Sequence, residues 1–240
     1  MTLRGAACLF LCFALPCFAQ TAVTVPVTGD PAPGSPLQIA GKITFTDQVF
    51  GNSVVSSSTY ELTARNVSGK GIVLMLVRFR EVGPRGGGVL HNIQWDNFFR
   101  DDEIVPEENF VLDRSSGGFQ TYCCINPFES GIAPIAEARV IYAEFANGST
   151  YGERSEAAGI FTTRSVILEY LHQLDRAGGN EAFLRLLAQK LKSDEADGFI
   201  ETLRSVQKKG GTEAARGQVR RDLRNAARHL RAMQAAHGRG

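Results

Sequence analysis

The hydrophobic period of this chain switches once, near Gly152, and that switch constrains the fold more than any other feature. Ahead of it lie strand-length blocks separated by turn residues. KITFTDQV places Ile43 and Phe45 on one face, YELTARNV places Tyr60, Leu62 and Ala64 on one face, and HNIQWDNFF does the same with Ile93 and Trp95. IVLMLVRF is nearly all apolar, ENFVLD is short, and AEARVIYAEF runs into Asn147-Gly148 and then STYG. Alternation with turn signals about every ten residues predicts an antiparallel sandwich or barrel. Asn-Gly between two runs predicts a tight hairpin, because both residues tolerate positive φ.

Behind the switch the period is helical. Ile160, Ile167, Leu171 and Leu174 form one stripe that closes on Gly178-Gly179. Asn180 is placed to cap a segment carrying Phe183, Leu187 and Leu191, and Ser193 or Asp194 a third with Phe199, Ile200, Leu203 and Val206. Gly210-Gly211 ends that segment. Thr212 opens a fourth, in which Val219, Leu223, Ala226, Leu230 and Met233 recur at spacings of four and three. Caps, period and terminal glycines agree on about four helices. The fold class expected is therefore α+β, an antiparallel sandwich followed by a helical region. Ile72–Val77 and much of Val140–Phe145 are apolar on both alternating faces. A strand that reads so is covered on both sides. The helix around Ile160–Leu174 is the expected cover, so the first helix should pack on the sandwich.

The N-terminus speaks to compartment. Arg4 precedes an apolar run from Ala6 to Phe18, broken only by Pro16, with small residues before a cut after Ala19. That is the layout of a secretory signal peptide, and the run is too short to span a bilayer. The expected organisation is a signal peptide over 1–19, a disordered Pro-, Thr- and Gly-rich leader over 20–38, a β-sandwich over 39–152 and a helical region over 153–236. The product would be exported, periplasmic or extracellular, and not an integral membrane protein once the signal is cut. Cys8, Cys12 and Cys17 leave with the signal, so the exported chain keeps only Cys123 and Cys124.

That adjacent pair is not a staple. A disulfide stabilises by closing a loop, and neighbours close essentially none. Their Cα atoms lie about 3.8 Å apart across a trans peptide, below the usual disulfide range of about 4.4–6.8 Å. Oxidised together they would form a strained ring that rigidifies a turn and reduces easily. In an extended segment the two thiols point to opposite faces, and the outward one could pair with another chain. The double change Cys123→Ser, Cys124→Ser is expected to cost at most about 1–2 kcal/mol. Urea unfolding with and without reductant checks this. A reductant-dependent loss beyond about 3 kcal/mol, seen only in the wild type, would show that a disulfide holds the fold.

Other chemistry is sparse. The four histidines are His91, His172, His229 and His237, and no Gly-x-Ser-x-Gly elbow or His-x-x-Glu-His zinc pattern occurs. His91 shares a strand face with Ile93 and Trp95, which places it at the rim of the core. VGPRGGGV lacks the Lys-Ser/Thr of a phosphate cradle and reads as a hairpin tip. Asp101, Asp102, Glu103, Glu107 and Glu108 surround Pro106; oxygen ligands this dense could hold a calcium ion, but their spacing fits no loop motif, and a solvated turn is the favoured reading. Asn66-Val67-Ser68 and Asn147-Gly148-Ser149 match glycosylation acceptors, but both lie where hairpin turns favour Asn. No catalytic, cofactor-binding or metal-ligating residue is assigned.

Charge is uneven. Residues 201–240 hold ten of the 26 basic and three of the 25 acidic side chains, which leaves 16 basic and 22 acidic before them. Arg216, Arg220, Arg221, Arg224, Arg228 and Arg231 decorate the last helix without breaking its apolar stripe. Such a helix can be a bundle member with a solvated arginine face, or it can bind an anionic surface. Nucleic acid is the least favoured partner for an exported chain.

The run YELTARNVSGKGI with its long apolar strand resembles the central hairpin of immunoglobulin- or fibronectin type III-like sandwiches. IVPEENFVL and EARVIYAEFANGSTYG are similar to the edge strand and closing hairpin of such domains. The resemblance covers about half the chain, residues 39–152. It lacks the antibody-type core signature, since Trp95 does not sit between two spaced cysteines. The layout with a Cys-Cys in this region also resembles secreted bacterial proteins. The resemblance implies a fold and no activity. The expected function is an exported, non-enzymatic binding or scaffolding protein of the cell envelope, without a cofactor. Its partner would be an envelope protein or an anionic surface. The alternative is a thiol-redox or metal-handling protein centred on Cys123-Cys124.

Overall fold

The structure is a computed structural model and describes residues 20–29, 32–50, 53–86, 88–116, 120–123 and 133–237. The signal segment 1–19 and Cys124 lie outside the described residues. Among the described residues the strands form two antiparallel sheets, and three helices follow them, so the chain is α+β. In the first sheet, β1 (Gln20–Pro26), β2 (Leu37–Phe50), β3 (Ser53–Asn66) and β6 (Asn109–Ser116) lie side by side. β7 (Gln120–Cys123) continues the line of β6 along the early part of β3, with Ser53 opposite Cys123. The second sheet has the order β5 (Gly88–Asp96), β4 (Ile72–Val82), β8 (Ile135–Phe145) and β9 (Thr150–Gly152).

β2 and β3 form a long hairpin in unbroken register from Leu37 opposite Asn66 to Phe50 opposite Ser53. Alternation then sends Ile43, Phe45, Tyr60 and Leu62 inward against Met75, Val77, Phe79 and Val140 of the second sheet, and this is the sandwich core. A bulge in the β3–β6 pairing sets Asp113 opposite Leu62, so an extra residue is accommodated and Asp113 turns toward Tyr60.

The segment expected to be a disordered leader is in part a strand. Val23 and Val25 of β1 pair with Phe45 and Ile43, and Val27 is buried beyond them. The Thr28 amide then donates to the Ala136 carbonyl, and the Ala138 amide donates to the Thr28 carbonyl. This parallel bridge covers the part of the β8 edge that short β9 does not reach. The Val-x-Val alternation outweighs the proline-rich composition because the β2 edge supplies it with a partner.

The helical region begins with a 3-10 turn at Arg154–Ala157, followed by α1 (Ala158–Asp175), α2 (Asn180–Leu187) and α3 (Asp194–His237). α3 is broken at Gly211, whose φ of 80° and ψ of 179° suit glycine, so the expected third and fourth helices are its two arms. Ser193 caps α3, its hydroxyl accepting the Ala196 amide. At α2 the cap is Gly179 rather than Asn180. None of the described helices is long and apolar enough to cross a membrane.

The doubly apolar strands are covered on their outer face, though only by the start of the helical region. Leu74, Leu76, Ile141 and Tyr142 pack against Ala157, Ile160 and Phe161. The rest of the α1 stripe, Ile167, Leu171 and Leu174, joins Phe183, Ile200, Leu203 and Val219 in a separate helical core. Deleting residues 153–177 is therefore expected to expose the β4–β8 surface and lower solubility. Recovery of that deletion as a soluble monomer of unchanged stability would refute the covering role.

Candidate functional site

The two cores meet where the turn after β5 enters the helical region. Phe98 and Phe99, at the end of HNIQWDNFF, leave the sheet and are buried among the helices, ring to ring at 5.1 Å. The turn holds its shape because the Phe98 amide donates to Asp96 Oδ1 at 3.0 Å.

Arg164 is the centre of this junction. It sits on the inward stripe of α1 between Ile160 and Ile167, and its side chain is 6% exposed. Nε donates to Asp96 Oδ2 at 2.9 Å and Nη2 to Asp96 Oδ1 at 2.7 Å, a bidentate pair. Nη1 donates to Glu144 Oε2 at 2.6 Å, and the Tyr142 hydroxyl donates to Glu144 Oε1 at 3.2 Å. The guanidinium lies 4.3 Å from the Phe98 ring centroid. Burial opposes its charge, but Asp96 and Glu144 outweigh burial and hold its pKa above the ordinary value. Burial, then the charge of Glu144, pushes the Tyr142 hydroxyl upward, so it remains a donor. One arginine thus ties α1 to β5 and β8 together.

The second arm of α3 closes the same junction. Asn225 Nδ2 donates to the Phe99 carbonyl at 3.3 Å, Arg228 pairs with Asp101, and His229 lies against Phe98. Gly148, at φ 82° in the β8–β9 turn, approaches so closely that an added Cβ would lie 2.1 Å from the Ala232 carbonyl oxygen. Backbone cannot yield there, which makes glycine necessary.

Two buried titrating groups on this arm have opposite signs. Burial pushes the Asp222 carboxyl up to about 6, against the Gln218 hydrogen bond and the charges of Arg221 and Arg100. Burial, then Arg228, lowers the pKa of His229, whose ring also bonds the Arg100 backbone. A carboxyl with a raised folded pKa contributes most below its unfolded value, and that stability is lost as pH rises, here between about 4 and 6. A histidine with a lowered pKa contributes above about 6.5 and loses stability as pH falls. Asp222→Asn is expected to raise stability at pH 7 by about 1–2 kcal/mol and to bring no gain at pH 4. Urea unfolding at the two values checks it, since the His229 contribution cancels between variants. An equal gain at both would disprove the burial argument.

The expected anionic-surface residues divide. Arg216 is spent inside the fold: Nη2 donates to the carbonyls of Ala177 and Gly179 at 3.2 and 2.5 Å, Nε to Asn180, and the guanidinium stacks on Phe183. Arg220 lies 3.5 Å from Asp175, and Arg221 donates to Gln218. Arg224 and Arg231 are exposed. Of the cysteine pair, Cys123 ends β7.

A second polar cluster lies between the sheets at the β4–β5 hairpin end. The Ser58 hydroxyl donates to Glu81 at 3.1 Å, and the Tyr60 hydroxyl bonds His91 Nε2 at 3.2 Å and Asp113 at 3.3 Å. Burial raises the Glu81 pKa, against the Ser58 bond and the His91 charge. Arg85 pairs with buried Asp47 at 2.8 Å. His91 is thus a rim residue, as its strand face suggests. The acidic turn is likewise engaged, with Glu107 on Arg65 and Glu108 Oε2 accepting the Val105 amide. Asn66 is fully buried, its Nδ2 donating to the Lys70 and Ile104 carbonyls, so it serves the turn. Among the described residues no three His, Cys, Asp or Glu side chains converge on a possible metal position.

The Arg164 junction carried a signal in the sequence. An arginine on an apolar helical stripe calls for a buried carboxylate. Which carboxylate was not legible, because Asp96 and Glu144 lie 68 and 20 residues away. No protein-family model, curated protein or solved structure matches the chain.

Proposed function

We propose that the chain is an exported, non-enzymatic binding or scaffolding protein of the cell envelope. The observation that carries this reading is the Arg164 junction, where a buried guanidinium held by Asp96 and Glu144 couples the sandwich to the helices. Such coupling makes the two parts one body that can present a composite surface to a partner. The strand order also favours an immunoglobulin- or fibronectin type III-like sandwich. β2-β3-β6 follow the order A-B-E, and β9-β8-β4-β5 follow G-F-C-C′. Sandwiches of that class commonly serve as binding modules, though fold alone assigns no ligand.

The test is fractionation of the tagged full-length chain, followed by crosslinked capture from intact envelopes before and after thiol alkylation. Recovery outside the cytoplasm as a chain starting at Gln20, with one partner captured whether or not the thiols are alkylated, supports the reading. An unprocessed cytoplasmic chain overturns export. Capture abolished by alkylation, with the fold retained, overturns thiol-independent binding in favour of redox or metal handling at Cys123-Cys124.

A further inference from the structure

We propose that the groove between α1 and the second arm of α3 binds a small arylalkyl carboxylate, a single aromatic ring on a short arm ending in a carboxylate. The groove floor is apolar, made by Phe98, Phe161, Leu168, Leu230 and Met233. Leu230 is 39% exposed there, an apolar side chain left uncovered between two helices. The space measures about 150 Å³. An apolar cavity of about that volume accommodates a benzene ring.

Charge selects the other end of the ligand. Two arginines line the groove. Arg164 is saturated by Asp96 and Glu144 and has no charge to offer. Arg154 differs: its guanidinium lies 4.7 Å from the Phe161 ring centroid, and it forms no ion pair among the described residues. This cation–π contact holds the guanidinium beside the apolar floor, and a guanidinium so held can still donate to a carboxylate. The Ser165 hydroxyl, also on the wall, is committed to the Phe161 carbonyl at 2.9 Å. An aromatic ring on the floor with a carboxylate on Arg154 satisfies both halves of the site. An uncharged ring would leave Arg154 unused, and an inorganic anion would leave the floor wet.

This inference rests on the binding reading above only in taking the chain as a binder. Loss of groove binding with envelope capture intact therefore overturns the groove alone. The probe is 3-phenylpropionate, titrated calorimetrically into the chain from Gln20 to Gly240. Saturable binding of one molecule is expected, weakened about tenfold or more by Arg154→Gln and by replacing the probe with 3-phenylpropanamide. Leu168→Trp, which fills the floor, should abolish binding, and Arg154→Lys should retain part of it. No saturation at millimolar probe overturns the proposal, as does binding that Arg154→Gln and the amide leave unchanged. Tighter binding of a Gly-Gly-Phe peptide with a free C-terminus overturns the small-molecule assignment in favour of a chain terminus. Unchanged circular dichroism and urea midpoint of Arg154→Gln separate loss of binding from loss of fold.

Discussion

Arg164→Met is expected to lower the unfolding free energy by about 3–5 kcal/mol, because it strands two carboxylates at the junction. Glu144 is 2% exposed, and its remaining hydrogen-bond partner among the described residues is the Tyr142 hydroxyl, which cannot balance a full charge. Among the described residues, Asp96 keeps the Phe98 amide and the charge interaction with His229. The cost measures the abandoned charges more than the worth of the bridge, and a second variant separates the two. Adding Asp96→Asn and Glu144→Gln to Arg164→Met removes the charges, and most of the lost stability should return. Urea unfolding of the single and triple variants decides the matter. A loss below about 1 kcal/mol in the single variant would mean that water reaches the pair, and that the junction is not a buried lock.

Phe98→Ala should cost a comparable amount, about 3–5 kcal/mol, and should also change the shape of the transition. The ring is 4% exposed and touches Phe99, His229 and the Arg164 guanidinium, so its removal opens a void that three elements border. Because it belongs to the turn of one core and is buried in the other, its loss should let the helices unfold before the sandwich. Far-ultraviolet circular dichroism, following the helices, and Trp95 fluorescence, following the sandwich, coincide in the wild type if the parts unfold as one. In Phe98→Ala the helical signal is expected to fall at lower urea. Coincident curves in both proteins, with a loss under 1 kcal/mol, would show that Phe98 fills space without coupling the cores.

Much of this architecture could be read from contiguous residues. Ile43 and Phe45 alternate, Ile160 to Leu174 recur at helical spacing, and Gly210-Gly211 interrupts α3 where the break occurs. The doubly apolar Ile72–Val77 implied a cover, and Ile160 supplies it. Each of these follows from a local period or a local backbone preference, which neighbours in sequence carry in full. The β1 strand was not legible because its stability lies in the edge of β2, and composition around Pro26 and Gly29 argued against it.

What the sequence determined by itself was therefore the succession of strands, turns and helices, and which face of each is apolar. How charge is used was settled by the packing of the two cores. Arg164 and Arg154 look alike in sequence, yet one meets Asp96 and Glu144 while the other stacks on Phe161 at a groove. Arg216 and Arg224 lie on one basic helix, but Arg216 is spent on the Ala177 and Gly179 carbonyls at the α1–α2 turn, whereas Arg224 is exposed. Periodicity is a property of adjacent residues, so it survives in a one-dimensional reading. The partner of a charge depends on strand register, bulges and helix docking across tens of residues, and these exist only once the two cores are packed.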